Sequence, residues 1–114
     1  MVRFGNFEVE YNRNAPDKVS VRIETDDKGE VWLPKCDIAR AYGVFVQSVN
    51  AGLKSLAKTG DFDEYRDVRV EHFTYNGKNC SVDLYSLAPI IALGFRMKGL
   101  KCEAFRKWAA RRQK

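Results

Sequence analysis

The sequence predicts an α+β domain, and three features carry that prediction. Residues 6–11 (NFEVEY) and 18–24 (KVSVRIE) alternate apolar and polar side chains as half-buried strands do. Residues 34–58 read as two short helices about Gly43, and Asn76-Gly77 parts two further apolar runs in the way a two-residue hairpin loop does. With 114 residues and 45% hydrophobic content the chain has material for one ordinary core, so residues 1–114 are expected to form a single domain.

Phe7, Val9 and Tyr11 share one face of the first strand, and Val19, Val21 and Ile23 share one face of the second. The intervening NRNAPD is a turn. After the polar residues 25–30, Val31-Trp32-Leu33 returns as a third strand, so residues 7–33 are expected to make a small antiparallel sheet anchored by Trp32. Pro34 suits a first helical turn, where its missing N–H has no intrahelical partner, and that helix is expected to run to about residue 41.

The second helix is expected from about residue 45 to 58, with Thr59-Gly60 as its stop. At 100° per residue Val46, Val49, Leu53 and Leu56 fall within an arc of about 80°, and Gln47, Asn50, Ala51, Lys54 and Lys58 within a separate arc of about 100°. The first arc is core and the second solvent. Gly52 lowers helix propensity by about 1 kcal/mol relative to Ala, which marks a close approach by another element.

Residues 61–67 are acidic and read as a solvated linker; their carboxylates lack the alternating ligands and distal Glu of a calcium loop. Runs at 68–70 and 73–75 lead to Asn76-Gly77, and a strand at 80–84 returns. Ser86 is expected to cap a helix over 87–97, and Gly99 separates it from a last helix over 101–113, with Ala104, Phe105, Trp108 and Ala109 on its core stripe.

The net charge of +5 is distributed in blocks: −2 over residues 1–30, +3 over 31–60, −3 over 61–90 and +7 over 91–114. Two basic segments enclosing an acidic one suit a phosphate-facing surface, and a basic tail that keeps a protein soluble has the same pattern. The longest apolar run, 87–93, is interrupted by Pro89 and falls short of the roughly 20 residues of a membrane span. No signal-peptide core precedes it, so the expectation is a soluble, cytoplasmic protein without a membrane partner. Cys36, Cys80 and Cys102 form no CxxC pair and are expected as buried free thiols.

A helix-turn-helix needs a small residue where its helices cross, Gly at the turn, and apolar residues that fix the angle. Ala39, Gly43, Ile38, Val44 and Val49 meet those needs at the right separations. The second helix would then present Gln47, Ser48 and Asn50 to base edges and Lys54 and Lys58 to phosphates of double-stranded DNA. The hairpin, tipped by Asn76-Gly77-Lys78-Asn79, stands where a wing would. Against this, Phe45 occupies a position usually held by a capping Ser or Thr, Ala51 and Gly52 are blanks in the outer face, and no Arg occurs between residues 41 and 65. Those features fit a protein-interaction module that uses the Phe45 face instead.

The stretch KVSVRIETDDKGEVWLPKCDIARAYGV, followed by SVDLYSL, ALGFRM and AFRKWAARR, resembles the N-terminal region of the RhuM family of bacterial virulence-associated proteins over about residues 18–112. The YSL block with the later Phe105-Arg106-Lys107-Trp108 is also similar to Bro-N domains of phage and viral antirepressor-like proteins. Both resemblances imply a DNA-binding or phage-derived regulatory module. Where the RhuM pattern commonly carries a polar, Arg-bearing run after Gly-Val, this chain has Phe45-Val46.

His72 is the only histidine, and no Ser-His-Asp or Cys-His arrangement or phosphate-cradling Gly loop accompanies it, so no catalysis, cofactor or metal is expected. The expected architecture is therefore a winged helix-turn-helix-like α+β domain with an N-terminal antiparallel sheet, a β-hairpin wing and two C-terminal helices. Its expected partner is double-stranded DNA, contacted by Gln47, Ser48, Asn50, Lys54, Lys58 and Lys78 with Arg111 and Arg112 as auxiliaries. A homodimer is expected to join paired half-sites. The alternative is an antirepressor-like or docking module that does not bind DNA.

Overall fold

Alternation, helical period and turn chemistry resolve into an α+β fold of antiparallel strands and five helices in the computed structural model, which describes residues 4–12 and 14–112. Arg13 of the expected turn and Gln113 of the expected last helix lie outside those residues, as does the side chain of Arg112. No helix among the described residues is long and apolar enough to cross a membrane.

Strand β1 (Asn6–Asn12) pairs antiparallel with β2 (Ala15–Glu24) and buries Phe7 and Val9, so the period-two pattern holds on that strand. Strand β3 (Trp32–Leu33) does not extend this sheet. It pairs with β5 (Lys78–Ser86), which in turn pairs with β4 (Val68–Tyr75), giving a second sheet in the order β3-β5-β4. The expected single sheet over residues 7–33 is thus corrected to two. A two-residue strand has too little alternation to specify its neighbour, and burial decides. Val31 and Leu33 enter the core, Leu33 lies opposite Tyr85, and the Trp32 ring lies beneath the Arg69 guanidinium at 4.8 Å. The turn that redirects the chain is held by Asp26, whose Oδ1 accepts from the N–H groups of Lys28 and Glu30, both at 2.9 Å.

Helix α1 (Lys35–Tyr42) follows Pro34, which stands just outside it with extended ψ, one residue from the expected start. It ends at Gly43, in the left-handed region at φ 65°. The Gly43 N–H donates to Arg40 O and the Val44 N–H to Ala39 O, the double bond pattern that closes a helix on a left-handed residue. Helix α2 (Val46–Thr59) then buries Val49, Leu53 and Leu56 against α1 and α4. Val46, expected in the core arc, is 40% exposed, because it sits at the edge of that arc in the first turn.

The expected solvated linker at 61–67 is corrected as well. It contains a short helix α3 (Glu64–Asp67), and Asp67 is buried. The Asp63 carboxylate accepts from the Tyr65 N–H at 2.9 Å, while Asp67 Oδ2 accepts from the Asp63 N–H at 3.1 Å. Asp67 Oδ1 also accepts from Ser86 Oγ at 3.0 Å, so Ser86 is not the side-chain cap expected for the next helix. Burial opposes ionisation of Asp67, yet its bonds from Arg66, the Asp63 N–H and Ser86 outweigh it, and its carboxyl stays below the ordinary carboxylate range.

Helices α4 (Leu87–Arg96) and α5 (Leu100–Arg112) close the domain. Phe7, Tyr42 and Phe105 meet with ring centroids 5.4 to 5.9 Å apart, joining β1, α1 and α5, and Trp108 stacks on Phe105 at 6.0 Å. The Tyr42 hydroxyl donates to Ile90 O at 2.7 Å, and burial pushes its pKa far above the ordinary value. Of the three thiols only Cys102 is fully buried, with its pKa raised by that burial; Cys36 and Cys80 are half-buried, since both fall outside the helix-packing centre.

Candidate nucleic-acid interface

The side chains of α2 divide by angle. Gln47, Ala51, Lys54 and Lys58 are exposed and fall within an arc of about 60° at 100° per residue, opposite the buried Val49, Leu53 and Leu56. From Val46 to Thr59 the helix contains no acidic residue, and among the described residues no ion pair engages Lys54 or Lys58. A cationic, hydrogen-bonding strip therefore faces solvent.

The other expected contacts of this helix are placed differently. Asn50 is half-buried at the margin of the core, and its Oδ1 is shielded from solvent with no hydrogen-bond partner. Ser48 is exposed but turned toward α4, where it lines an open groove of about 430 Å³ with Ala51, Gly52, Ser55, Arg96 and Lys98.

Gly52 makes that groove. A Cβ there would stand 2.5 Å from Leu93 Cδ2 and 3.6 Å from Met97 Cγ, so α4 crosses α2 closely enough that any side chain at this position would press on Leu93. The close approach expected from the sequence is present, and it delivers the C-terminal end of α4 to the flank of α2. Arg96 donates to Ser55 Oγ at 2.9 Å and Thr59 Oγ1 at 3.1 Å, and pairs with Asp61 at 3.2 Å. Lys98 is exposed beside it. Sequence reasoning missed Arg96 and Lys98 as neighbours of α2; a glycine in an otherwise regular helix was the signal, and the strongly basic segment that follows supplied the residues.

Lys78 stands at the far end of the β4–β5 hairpin. Tyr75 pairs with Lys78 across Asn76-Gly77, whose φ values of 51° and 75° are those of the two-residue turn the sequence implied. From His72 to Lys78 the hairpin is exposed, so it projects from the body. Arg111 is exposed on α5, which packs on α4, β1 and β2. Neither element packs extensively on α2, so Gln47, Lys54 and Lys58 are brought together while Lys78 and Arg111 are carried on other elements. His72 is exposed on β4, and among the described residues no cluster of His, Cys, Asp and Glu is arranged to hold a metal ion.

The turn between α1 and α2 carries a second kind of surface. Phe45 precedes α2 in extended conformation, makes no side-chain cap, and is 80% exposed. Comparison of the chain with protein-family models, with curated proteins and with solved structures finds no match.

Proposed function

We propose that this protein binds double-stranded DNA as a regulatory module of phage or mobile-element type, through a winged helix-turn-helix in which α1 and α2 are the helix pair and the β4–β5 hairpin is the wing. The observation that carries the reading is the acid-free outer face of α2, where Gln47, Lys54 and Lys58 stand on one exposed strip. Gln47 has the donor and acceptor to bond adenine bidentately in the major groove, and Lys54 and Lys58 neutralise phosphates along it. Lys98 on the groove flank and Lys78 on the wing add cations to the same function, while Arg96 is held by Asp61, Ser55 and Thr59. The resemblance to RhuM and Bro-N regions expresses the same reading at family level. A homodimer would join two such half-site readers and raise their effective concentration on paired sites.

The experiment is fluorescence anisotropy of a labelled duplex titrated with protein at several salt concentrations. With three to five phosphates neutralised, log K should fall against log salt with a slope of about −3 to −5. Lys54→Glu with Lys58→Glu should weaken binding at least tenfold and reduce that slope by about 2. An affinity change below twofold in the double variant removes α2 from the interface.

A second reading has one observation in its favour. Phe45 at 80% exposure, with Val46 at 40% and Leu100 at 58%, forms apolar surface around the α1–α2 turn, as a protein-docking module would. Docking there tolerates salt, whereas phosphate contact does not.

A further inference from the structure

We infer that the first turn of α2 recognises the 5-methyl group of thymine, with Phe45 as the principal contact. This rests on the DNA-binding reading and adds a base class to it. Folding gives no reason for Phe45 to be where it is. An N-cap position favours Ser, Thr, Asp or Asn, whose oxygen bonds a free N–H of the first turn. Phe45 makes no such bond and remains outside the core with 80% of its surface exposed.

Its neighbours narrow what it can meet. Val46, at the edge of the core arc, is 40% exposed and Ala51 on the outer strip is exposed, so apolar side chains flank Gln47 on both sides in the first turns. Polar reading is confined to Gln47, since Asn50 has its Oδ1 shielded and Ser48 turns into the groove beside Arg96. Among base pairs, only those containing thymine present an apolar group in the major groove, and Phe and Ala are side chains that meet it. Gln47 pairs best with adenine, the partner of thymine. The two chemistries on this turn therefore favour the same kind of base pair, A·T.

Charge complementarity favours a nucleic acid over a protein as the occupant. With no acid on α2, its cations lie on the C-terminal side of the apolar turn, Lys54 about 12 Å and Lys58 about 18 Å along the axis from Val46 at 1.5 Å per residue. A major groove is about 12 Å wide, so a first turn at the groove floor leaves Lys54 and Lys58 within reach of the bordering phosphates.

The test compares an alternating dA-dT duplex with its dA-dU counterpart, which lacks only the methyl groups, by anisotropy at one low salt concentration. Wild type should bind the thymine duplex about fourfold more tightly for each methyl contacted. Phe45→Ala, a change at an exposed side chain whose folding is checked by circular dichroism, should bind the two duplexes alike. Lys54→Ala with Lys58→Ala should weaken both while preserving their ratio. Equal wild-type affinities for the two duplexes overturn thymine recognition and leave DNA binding standing. A thymine preference that survives in Phe45→Ala also overturns it, assigning the preference to duplex shape. Absence of binding to either duplex overturns the DNA reading and this inference with it, and moves Phe45 to a protein partner.

Discussion

Gly94→Ala is the substitution for which the packing gives the sharpest expectation. Gly94 lies on α4, where alanine would gain about 1 kcal/mol of helix propensity. The added methyl carbon, however, would stand 2.5 and 2.7 Å from Phe105 Cδ2 and Cε2 and 2.7 Å from the Tyr42 hydroxyl. Carbon atoms prefer 3.5 to 4.0 Å, so the ring must retreat by about 1 Å. It has nowhere to go, being 2% exposed with Phe7, Tyr42, Phe95 and Trp108 around it at 5.4 to 6.0 Å between centroids. Overpacking of this kind costs about 1–3 kcal/mol. Displacing the Tyr42 hydroxyl from Ile90 O leaves a buried donor unsatisfied, a further 1–2 kcal/mol or so. Net of the propensity gain, we expect a loss of about 1–4 kcal/mol. The assay is urea denaturation followed by circular dichroism, where the midpoint should fall with the slope unchanged. Phe105→Leu in the Gly94→Ala background should recover part of the loss as a positive coupling in a double-mutant cycle. Gly52→Ala should lose less, about 1 kcal/mol, because its methyl meets the end of one flexible side chain, Leu93. A Gly94→Ala variant as stable as wild type would refute the reasoning that the Phe105 ring and the Tyr42 hydroxyl cannot yield to a Cβ at this position.

Two other expectations follow from single residues. Asp67→Asn should destabilise the domain by about 2 kcal/mol at neutral pH, since the amide replaces one of two acceptor oxygens with a donor facing donors; the exposed Arg66 pair is screened and adds little. Because the folded carboxyl has a depressed pKa, its contribution is present above the ordinary carboxylate value of about 3.9 and is lost as pH falls through the folded value. The stability difference between wild type and Asp67→Asn should therefore shrink on acidification, and a difference that stays constant from pH 7 to below about 3 would exclude the carboxylate as its source. Gly77→Ala places a side chain at φ 75° in open space, so the loss should be the backbone term alone, about 1–2 kcal/mol, read from thermal unfolding; no loss would mean that the hairpin turn is not under the conformational demand its φ values imply.

What was legible in the sequence was what a local period or a single special residue specifies. The α1–α2 pair, its Gly43 turn, the Asn76-Gly77 hairpin and the Phe105 and Trp108 packing stripe all belong to that class. The errors share a different cause. Trp32-Leu33 pairs with Tyr85 and Ser86, more than fifty positions away, and no local pattern chooses that neighbour over β2. Asp67 sits in an acidic run and reads as solvated, yet Ser86 and the Asp63 N–H converge on it and supply the partners that make its burial tolerable. Asn50 shares an arc with Lys54 on a helical wheel, but a wheel records angle and not what crowds the margin of the core. In each case the deciding atom comes from a distant part of the chain.

The same distinction bears on the orientation of the candidate interface. A helix pair joined by a three-residue turn has its order set locally, while the direction in which α2 points is set by what braces it. Val44 lies against the Gly99 backbone, with 3.6 Å between its Cγ1 and the place a Cβ would occupy, and this holds the turn. Leu93 against Gly52 holds the middle of α2, and Arg96 bonded to Ser55 and Thr59 holds its last turns. These contacts brace the turn and one flank of α2, the buried Val49, Leu53 and Leu56 fix its inner face, and the strip opposite the core, with Gln47, Lys54 and Lys58, is left uncovered. The C-terminal segment with the largest basic excess thus has two physical roles, aiming α2 through its apolar and hydrogen-bonding side chains and lining the flank with Arg96 and Lys98. A rigid α2 suits recognition of a fixed groove, because the geometry of contact is then preset before binding and less ordering entropy is lost when the partner arrives.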